Sequence, residues 1–228
     1  MNKKIYLAIP AYDSRVDILC MASIINNIKD LESRGYEVIF NTKMGDPYID
    51  QARNWLVNTF LRTDCTDMVF VDTDLAFDTD AIYRLMRLDK GVVGGIYPFR
   101  SEDQDGYPVS PILDDDKKPA HENGLVECKF IPTGLMRINR SVFEELKSRY
   151  PIYTDDSGET KYFRTGQVFL HEGDTRWWGE DNYFCEICAR TGIKVYCDPM
   201  ISFVHMGKLH KKGNYAEYLQ NGGKWVDR

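Results

Sequence analysis

The sequence predicts an α/β protein with a mainly parallel central sheet flanked by helices and an irregular second half. Three observations carry that expectation. Short, nearly unbroken apolar runs (Lys3–Ala11, Asp67–Val71, Val92–Tyr97) are what strands buried on both faces require. Longer amphipathic stretches separate them, and such alternation gives parallel strands with right-handed crossovers. After about residue 99 the chain turns polar and rich in Pro, Gly and Asp.

The elements follow in order. Lys3–Ala11 is the first strand. In Val16–Arg34 the residues Ile18, Leu19, Ala22, Ile25, Ile28 and Leu31 fall near helical spacing and predict a core face, with Gly35 as the C′ residue. Tyr36–Phe40 reads as the second strand. Asp46-Pro47 offers an N-cap and a first-turn proline for a helix running to about Arg62. Asp67–Val71 is the third strand. Asp78 is expected to cap a helix bearing Ala81, Ile82, Leu85 and Met86, which Gly91 ends, and Val92–Tyr97 is the fourth strand.

The second half is read more coarsely. Phe99–Asn123, with the acidic triplet Asp114–Asp116, is longer than most loops, which marks it as functional or mobile. Phe130–Ile138 reads as one strand, and Ser141–Glu144 has capping-box spacing. Tyr153–Leu170 is turn-rich and suits a hairpin. Glu180–Arg190 reads as a helix stopped by Gly192, and Ile193–Cys197 as a strand. No repeat and no sharp linker divides the chain.

Composition excludes several functions. Twenty-nine basic and 35 acidic residues leave a formal charge of −6 over 228 residues. Nucleic-acid wrapping and polybasic membrane binding need the opposite, clustered Lys and Arg. Hydrophobic residues at 43% and charged residues at 28% are ordinary globular usage, so bulk disorder is excluded. A chain of this length buries roughly 70% of its unfolded surface. No apolar run approaches the ~20 residues of a spanning helix. Pro10 and Asp13 interrupt Ile5–Ile9 before a signal-peptide core develops, so a cytoplasmic protein is expected. Six cysteines fit that compartment as reduced, buried thiols. The CxxC of Cys185 and Cys188 lies inside an apparent helix with no second pair, and reads as core.

The first chemical signal is Asp72-Thr73-Asp74 at the end of the third strand. Ligands of open parallel sheets bind beyond the carboxyl ends of the strands. Residues two apart on extended backbone point to one side, so Asp72 and Asp74 are expected to converge. Paired carboxylates repel each other unless a cation or donor intervenes. Hard oxygen ligands suit Mg²⁺ or Mn²⁺, which also bridge phosphate oxygens. The same acids equally make a polar strand-to-helix turn. Neither G-x-G-x-x-G after the first strand nor GxxxxGK[ST] occurs, which disfavours dinucleotide and Walker-type sites.

Downstream, Trp177-Trp178-Gly179-Glu180-Asp181 leads into a helix, and Val204-His205-Met206-Gly207 closes an apolar stretch. Taken alone, Glu180 and Asp181 are first-turn acids favoured by the helix dipole. His205 alone is a structural histidine, Arg53 a solvated helix residue, and the two tryptophans either core or faces for sugar rings.

With these pieces in their order, the sequence resembles the GT-A nucleotide-sugar glycosyltransferases, especially the family-2-like group and its small viral and bacterial relatives. The resemblance covers roughly residues 3 to 207. It rests on Pro10-Ala11-Tyr12, Gln51-Ala52-Arg53-Asn54, the DxD, Gly94-Gly95-Ile96-Tyr97, Thr133-Gly134-Leu135-Met136, Gly179-Glu180-Asp181 and His205. It implies one GT-A domain over 1–228. About 1–100 would form the nucleotide-binding half, about 101–207 the acceptor and catalytic half, and 208–228 a tail. Pro10, Ala11, Tyr12 and Asp13 would line base and ribose, with Arg53 at the base or diphosphate. Asp72, with Thr73 beside it, would meet the ribose. Asp74 would hold Mn²⁺ or Mg²⁺, completed by His205 and with Asp72 as a further ligand. Gly134, Trp177, Trp178 and Gly179 would lie on the acceptor or sugar side. Asp181 would be the catalytic base, with Glu180 as the adjacent alternative.

The implied function is metal-dependent sugar transfer from a nucleotide donor, UDP by family frequency, to a saccharide or other hydroxyl acceptor, with inversion. The setting would be the cytoplasm of a bacterium or of a virus-infected host cell. Two other readings use some of the same residues: a nucleotidyltransferase of similar fold, which attacks the α-phosphate, and a non-catalytic carbohydrate-binding protein. A metal phosphohydrolase fits least, because its His-rich ligand clusters are missing with four His present. The basic cluster Lys208, His210, Lys211 and Lys212 suits either an anionic ligand or a solvated tail.

Overall fold

The computed structural model describes residues 4–100, 106–167, 177–207 and 210–223. The first half runs β1 (Lys4–Ala11), α1 (Ile18–Ser33), β2 (Glu37–Met44), α2 (Ile49–Leu61), β3 (Asp67–Val71), β4 (Leu75–Phe77), α3 (Ala81–Met86) and β5 (Val92–Gly95). Short strands β6 (Ser110–Pro111) and β7 (His121–Glu122) precede β8 (Leu125–Phe130), β9 (Leu135–Asn139) and α4 (Arg140–Arg149). Then come β10 (Gly166–Gln167), β11 (Trp177–Trp178), α5 (Glu180–Arg190), β12 (Val195–Asp198), β13 (Ser202–His205), β14 (Lys211–Asn214) and α6 (Tyr215–Gln220).

The fold is α/β. A nine-stranded sheet has the order β2-β1-β3-β9-β5-β12-β8-β6, with β7 on β8. β1 pairs in parallel with β2 and β3, and β12 pairs in parallel with β5. β9 enters antiparallel between β3 and β5, Met136 facing Phe70 and Gly94. Strands from both halves of the chain therefore share one sheet. The period-two alternation of a strand splits β1 between two cores. Tyr6 and Ala8 join Phe60, Phe70, Phe143 and Phe184 on one face; Ile5, Leu7 and Ile9 join Val69, Leu75 and Phe203 on the other. Among the described residues, no helix is long and apolar enough to cross a membrane.

Several local expectations are corrected. α1 is turned relative to its apolar spacing: Ile18 is 78% exposed, and Leu19, Ala22 and Ile25 also face outward. The buried face carries Cys20, Ser23, Ile24, Asn27 and Leu31. Two polar residues are stable there because β4 and α3 satisfy them. Phe77 N donates to Ser23 Oγ at 3.1 Å, Asn27 Nδ2 donates to Asp78 O at 2.9 Å, and Ile82 N donates to Asn27 Oδ1 at 2.9 Å. α2 begins at Ile49, after Asp46 has accepted from Tyr48 N. Asp78 does not cap α3; its carboxylate accepts from Ser202 N at 2.8 Å.

Phe130–Ile138 is two strands rather than one, β8 ending at Phe130 and β9 starting at Leu135. The cap of α4 is Asn139, whose Oδ1 accepts from Ser141 N, instead of a box on Ser141. The expected tail holds β14 and α6, with Lys211 and Lys212 on β14; Lys208 lies outside the described residues. So do 101–105 of the polar loop and 168–170 of the turn-rich stretch. Cys185 and Cys188 are fully buried in α5, and all six cysteines are free and buried.

Candidate active site

The carboxyl ends of β1 and β3, the start of α2 and the start of α5 surround a cleft of about 480 Å³. Pro10, Tyr12, Asp13, Arg53, Asp72, Thr73, Asp74 and Glu180 all line it. The chain thus brings together, from four places in the sequence, most of the residues expected at a nucleotide-sugar site. Ala11 is buried beneath them. Asp46, Pro47, Ile49 and Arg100 line the same cleft, and the sequence reading did not place them there. Gly45 N donates to Tyr12 O at 3.0 Å, which ties the turn before α2 to the turn after β1.

Arg53 is the centre of the cleft floor. It is 2% exposed and reaches inward from α2, its guanidinium carbon 5.1 Å from the centre of the Phe70 ring. Nη2 donates to Asp72 Oδ1 at 2.9 Å, and Nε donates to Glu180 Oε1 at 3.1 Å. Nη1 is buried and, among the described residues, has no hydrogen-bond partner. Burial works against the charge, but the Asp72 and Glu180 carboxylates overcome it and raise the Arg53 pKa. Burial, helped by Asp74 and Glu180, pushes the Asp72 carboxyl upward against the pull of Arg53. Asp72 N in turn donates to Gly134 O at 2.9 Å.

Asp72 and Asp74 are not on extended backbone. β3 ends at Val71, and Asp72-Thr73-Asp74 forms the turn into β4, so the two carboxylates take different partners. Asp72 goes to Arg53. Asp74 Oδ2 is 3.5 Å from His205 Nε2 and 2.9 Å from Arg100 Nη1. Partial burial opposes it, yet His205 and Arg100 hold the Asp74 carboxyl below its ordinary value. His205 comes from the end of β13, which pairs with β4 so that His205 faces Leu75. Its Nδ1 lies 2.7 Å from Pro98 O, and a carbonyl can only accept, so Nδ1 carries a proton. With Nδ1 committed to Pro98, Nε2 is the ring nitrogen turned toward Asp74. The Tyr97 ring stands edge-on to His205 at 5.0 Å.

This donor set fits a divalent ion. A metal-binding histidine commonly donates its other ring N–H to a carbonyl, as His205 does to Pro98. One carboxylate oxygen and one imidazole suit Mn²⁺ well. Among the described residues, no three of His, Cys, Asp or Glu gather as a complete metal site. The protein would supply Asp74 and His205, with ligand oxygens or water filling the remaining positions. Asp72, committed to Arg53, is not placed as a third ligand.

Asp181 behaves differently from the other acids. Its Oδ1 accepts from the next backbone N–H, Asn182, at 2.7 Å, and among the described residues it takes no ion pair. Part of the residue stays exposed, yet the surrounding protein strips enough water, and Glu180 adds enough negative charge, to push its carboxyl up to about 6. A Cβ at Gly179 would stand 2.9 Å from Asp181 Oδ1, so the glycine leaves that carboxylate its room.

The remaining expected residues divide. Trp177 is 76% exposed, whereas Trp178 is buried edge-on against Phe130. Gly134 is buried and donates from its N to Tyr97 OH at 3.1 Å; a Cβ there would meet that oxygen at 2.4 Å. Its position is one of close packing behind Asp72. Asn54 holds residue Phe163 by two bonds, Nδ2 to its O at 2.7 Å and Oδ1 from its N at 2.9 Å.

No family model matches the chain, and no curated protein does. Solved structures do. A mutant Drosophila β1,4-galactosyltransferase 7 in complex with manganese, UDP-Gal and xylobiose is 12% identical, with a TM-score of 0.48 over 99% of this chain and 76% of that one. A glycosyltransferase involved in glycosylation of the major capsid of PBCV-1 is 11% identical, with a TM-score of 0.36 over 64% and 68%. The inositol-1-phosphate CTP transferase of T. maritima is 12% identical, with a TM-score of 0.42 over 90% and 89%.

Proposed function

We propose that the chain is a GT-A glycosyltransferase that moves a sugar from a nucleoside diphosphate, UDP by the resemblance of its motifs, to a hydroxyl acceptor with inversion. The observation that supports this most is the division of labour among its acids. Asp72 and Glu180 pair with Arg53, Asp74 faces His205 Nε2, and Asp181, which takes no ion pair among the described residues, is raised to about 6.

Each group then has a task. Tyr12 and Asp13 flank the space for base and ribose, and Asp72, fixed by Arg53, accepts from a ribose hydroxyl. A divalent ion on Asp74 and His205 supplies, when bound, Lewis-acid stabilisation of the charge that develops on the leaving diphosphate. An alcohol is too weak a nucleophile at pH 7 without help, so Asp181 takes its proton as the new glycosidic bond forms. Attack from the face opposite the leaving group inverts the anomeric carbon. Trp177 offers an exposed ring for a sugar acceptor.

Asp181 also separates this reading from nucleotidyl transfer. A sugar 1-phosphate is already an anionic nucleophile and needs no base with a pKa raised toward neutrality. The deciding experiment is a thermal-shift screen of nucleotide sugars with and without Mn²⁺, followed by transfer assays on the stabilising donors. A ligand that binds only the native state must raise its stability. Turnover of a nucleoside triphosphate with a sugar 1-phosphate, and none of any nucleotide sugar, would overturn the proposal.

A further inference from the structure

Arg100 takes no part in the functions just described, yet it occupies the most exposed charge contact of the cleft. Its Nη1 lies 2.9 Å from Asp74 Oδ2, the same oxygen that His205 Nε2 faces at 3.5 Å. The side chain is 61% exposed, so it comes in from the solvent side. The other cleft arginine, Arg53, is locked between Asp72 and Glu180 and is 2% exposed. Five carboxylates line the cleft (Asp13, Asp46, Asp72, Asp74, Glu180) against these two arginines. Arg100 is therefore the cation there that can move without leaving a buried charge unpaired.

We propose that Arg100 is a built-in counterion that holds the divalent-cation position on Asp74 and yields it most readily when a metal arrives together with a diphosphate. The inference rests on the reading of Asp74 and His205 as metal ligands. A guanidinium N–H and a metal ion compete for the same Oδ2 lone pairs, so the bare ion must displace Arg100 into water. A diphosphate changes that balance, because guanidinium pairs with phosphate oxygens as readily as with carboxylate. Arg100 then moves from Asp74 to the donor, and metal and nucleotide strengthen each other's binding. Such coupling is reciprocal.

The test is a Mn²⁺ titration followed by electron paramagnetic resonance, with and without UDP, on the full chain and its Arg100→Gln, Asp74→Asn and double variants. An exposed ion pair is weak, so Arg100→Gln should bind Mn²⁺ alone about two- to fivefold more tightly than wild type. The enhancement of Mn²⁺ binding by UDP should shrink in that variant, and the double variant should lose the site. Unchanged affinity for bare Mn²⁺ in Arg100→Gln, with Asp74→Asn still abolishing binding, overturns the counterion role and leaves the metal site standing. Equal Mn²⁺ binding by wild type and Asp74→Asn overturns both. A circular-dichroism melt confirms that each variant is folded.

Discussion

Glu180, not its neighbour Asp181, closes on Arg53, with Oε1 3.1 Å from Nε. Two acids adjacent at the start of α5 thereby acquire opposite chemistry. Glu180 pairs with a buried guanidinium, whereas Asp181 accepts from a backbone N–H and is pushed upward by burial and by the charge of Glu180. Sequence proximity gives no basis for choosing between them. The partner of Glu180 stands 127 residues away on α2.

Asp181→Asn is expected to separate chemistry from binding. Asparagine keeps the shape but cannot accept a proton, so turnover should fall by on the order of 10²–10⁴ with donor and metal affinity near wild type. The loss should appear in kcat as well as kcat/KM, because the contact matters in the transition state. Near-normal transfer by the folded variant, or a product of retained configuration, would falsify the base assignment.

The same substitution should stabilise the protein, and only above a certain pH. A carboxyl raised to about 6 holds its proton more tightly folded than unfolded, so its ionisation weakens the fold as pH rises from about 4 to 6. Asp181→Asn removes that cost, a gain on the order of 1–3 kcal/mol at pH 7. At pH 4 the two melting temperatures should nearly coincide. An equal difference at pH 4 and pH 7 would tie the effect to something other than this ionisation.

Arg53→Ala should destabilise strongly. It leaves Asp72 and Glu180 without their shared counterion, a loss of about 3–5 kcal/mol by analogy with broken buried ion pairs. Urea unfolding measures it directly. A change below about 1 kcal/mol, the worth of a surface pair, would mean the network contributes little.

His205→Ala should weaken Mn²⁺ binding by about 10–100-fold, while Asp74→Asn, which removes the charged ligand, should cost more. Calorimetry in the presence of UDP compares them. Wild-type metal affinity in His205→Ala would return this histidine to a structural role beside Tyr97.

Asn54→Ala should cost about 1–3 kcal/mol without touching the cleft, because both backbone groups of Phe163 lose their partner in the core. Chemical denaturation at pH 7 checks it, alongside unchanged nucleotide binding.

What the chain's own order of residues determined is local and periodic. β3 runs over Asp67–Val71 and α5 over Glu180–Arg190 where apolar runs and a following Gly192 placed them, since strand burial and helix termination act over a few residues. Asp13, Asp72, Asp74 and Glu180, singled out by the order of the motifs, do line one cleft, and His205 stands beside Asp74. The rest needed the tertiary structure. Ser23 and Asn27 turn the face of α1 only because backbone groups 51 to 55 residues away receive them. The turn after Val71 sends Asp72 to Arg53 and Asp74 to His205, a choice that spacing on an ideal strand misjudges. Which carboxylate is neutralised and which is left near neutrality depends on charges brought together through space, and pairing at 3 Å between distant segments leaves no periodic trace along the chain.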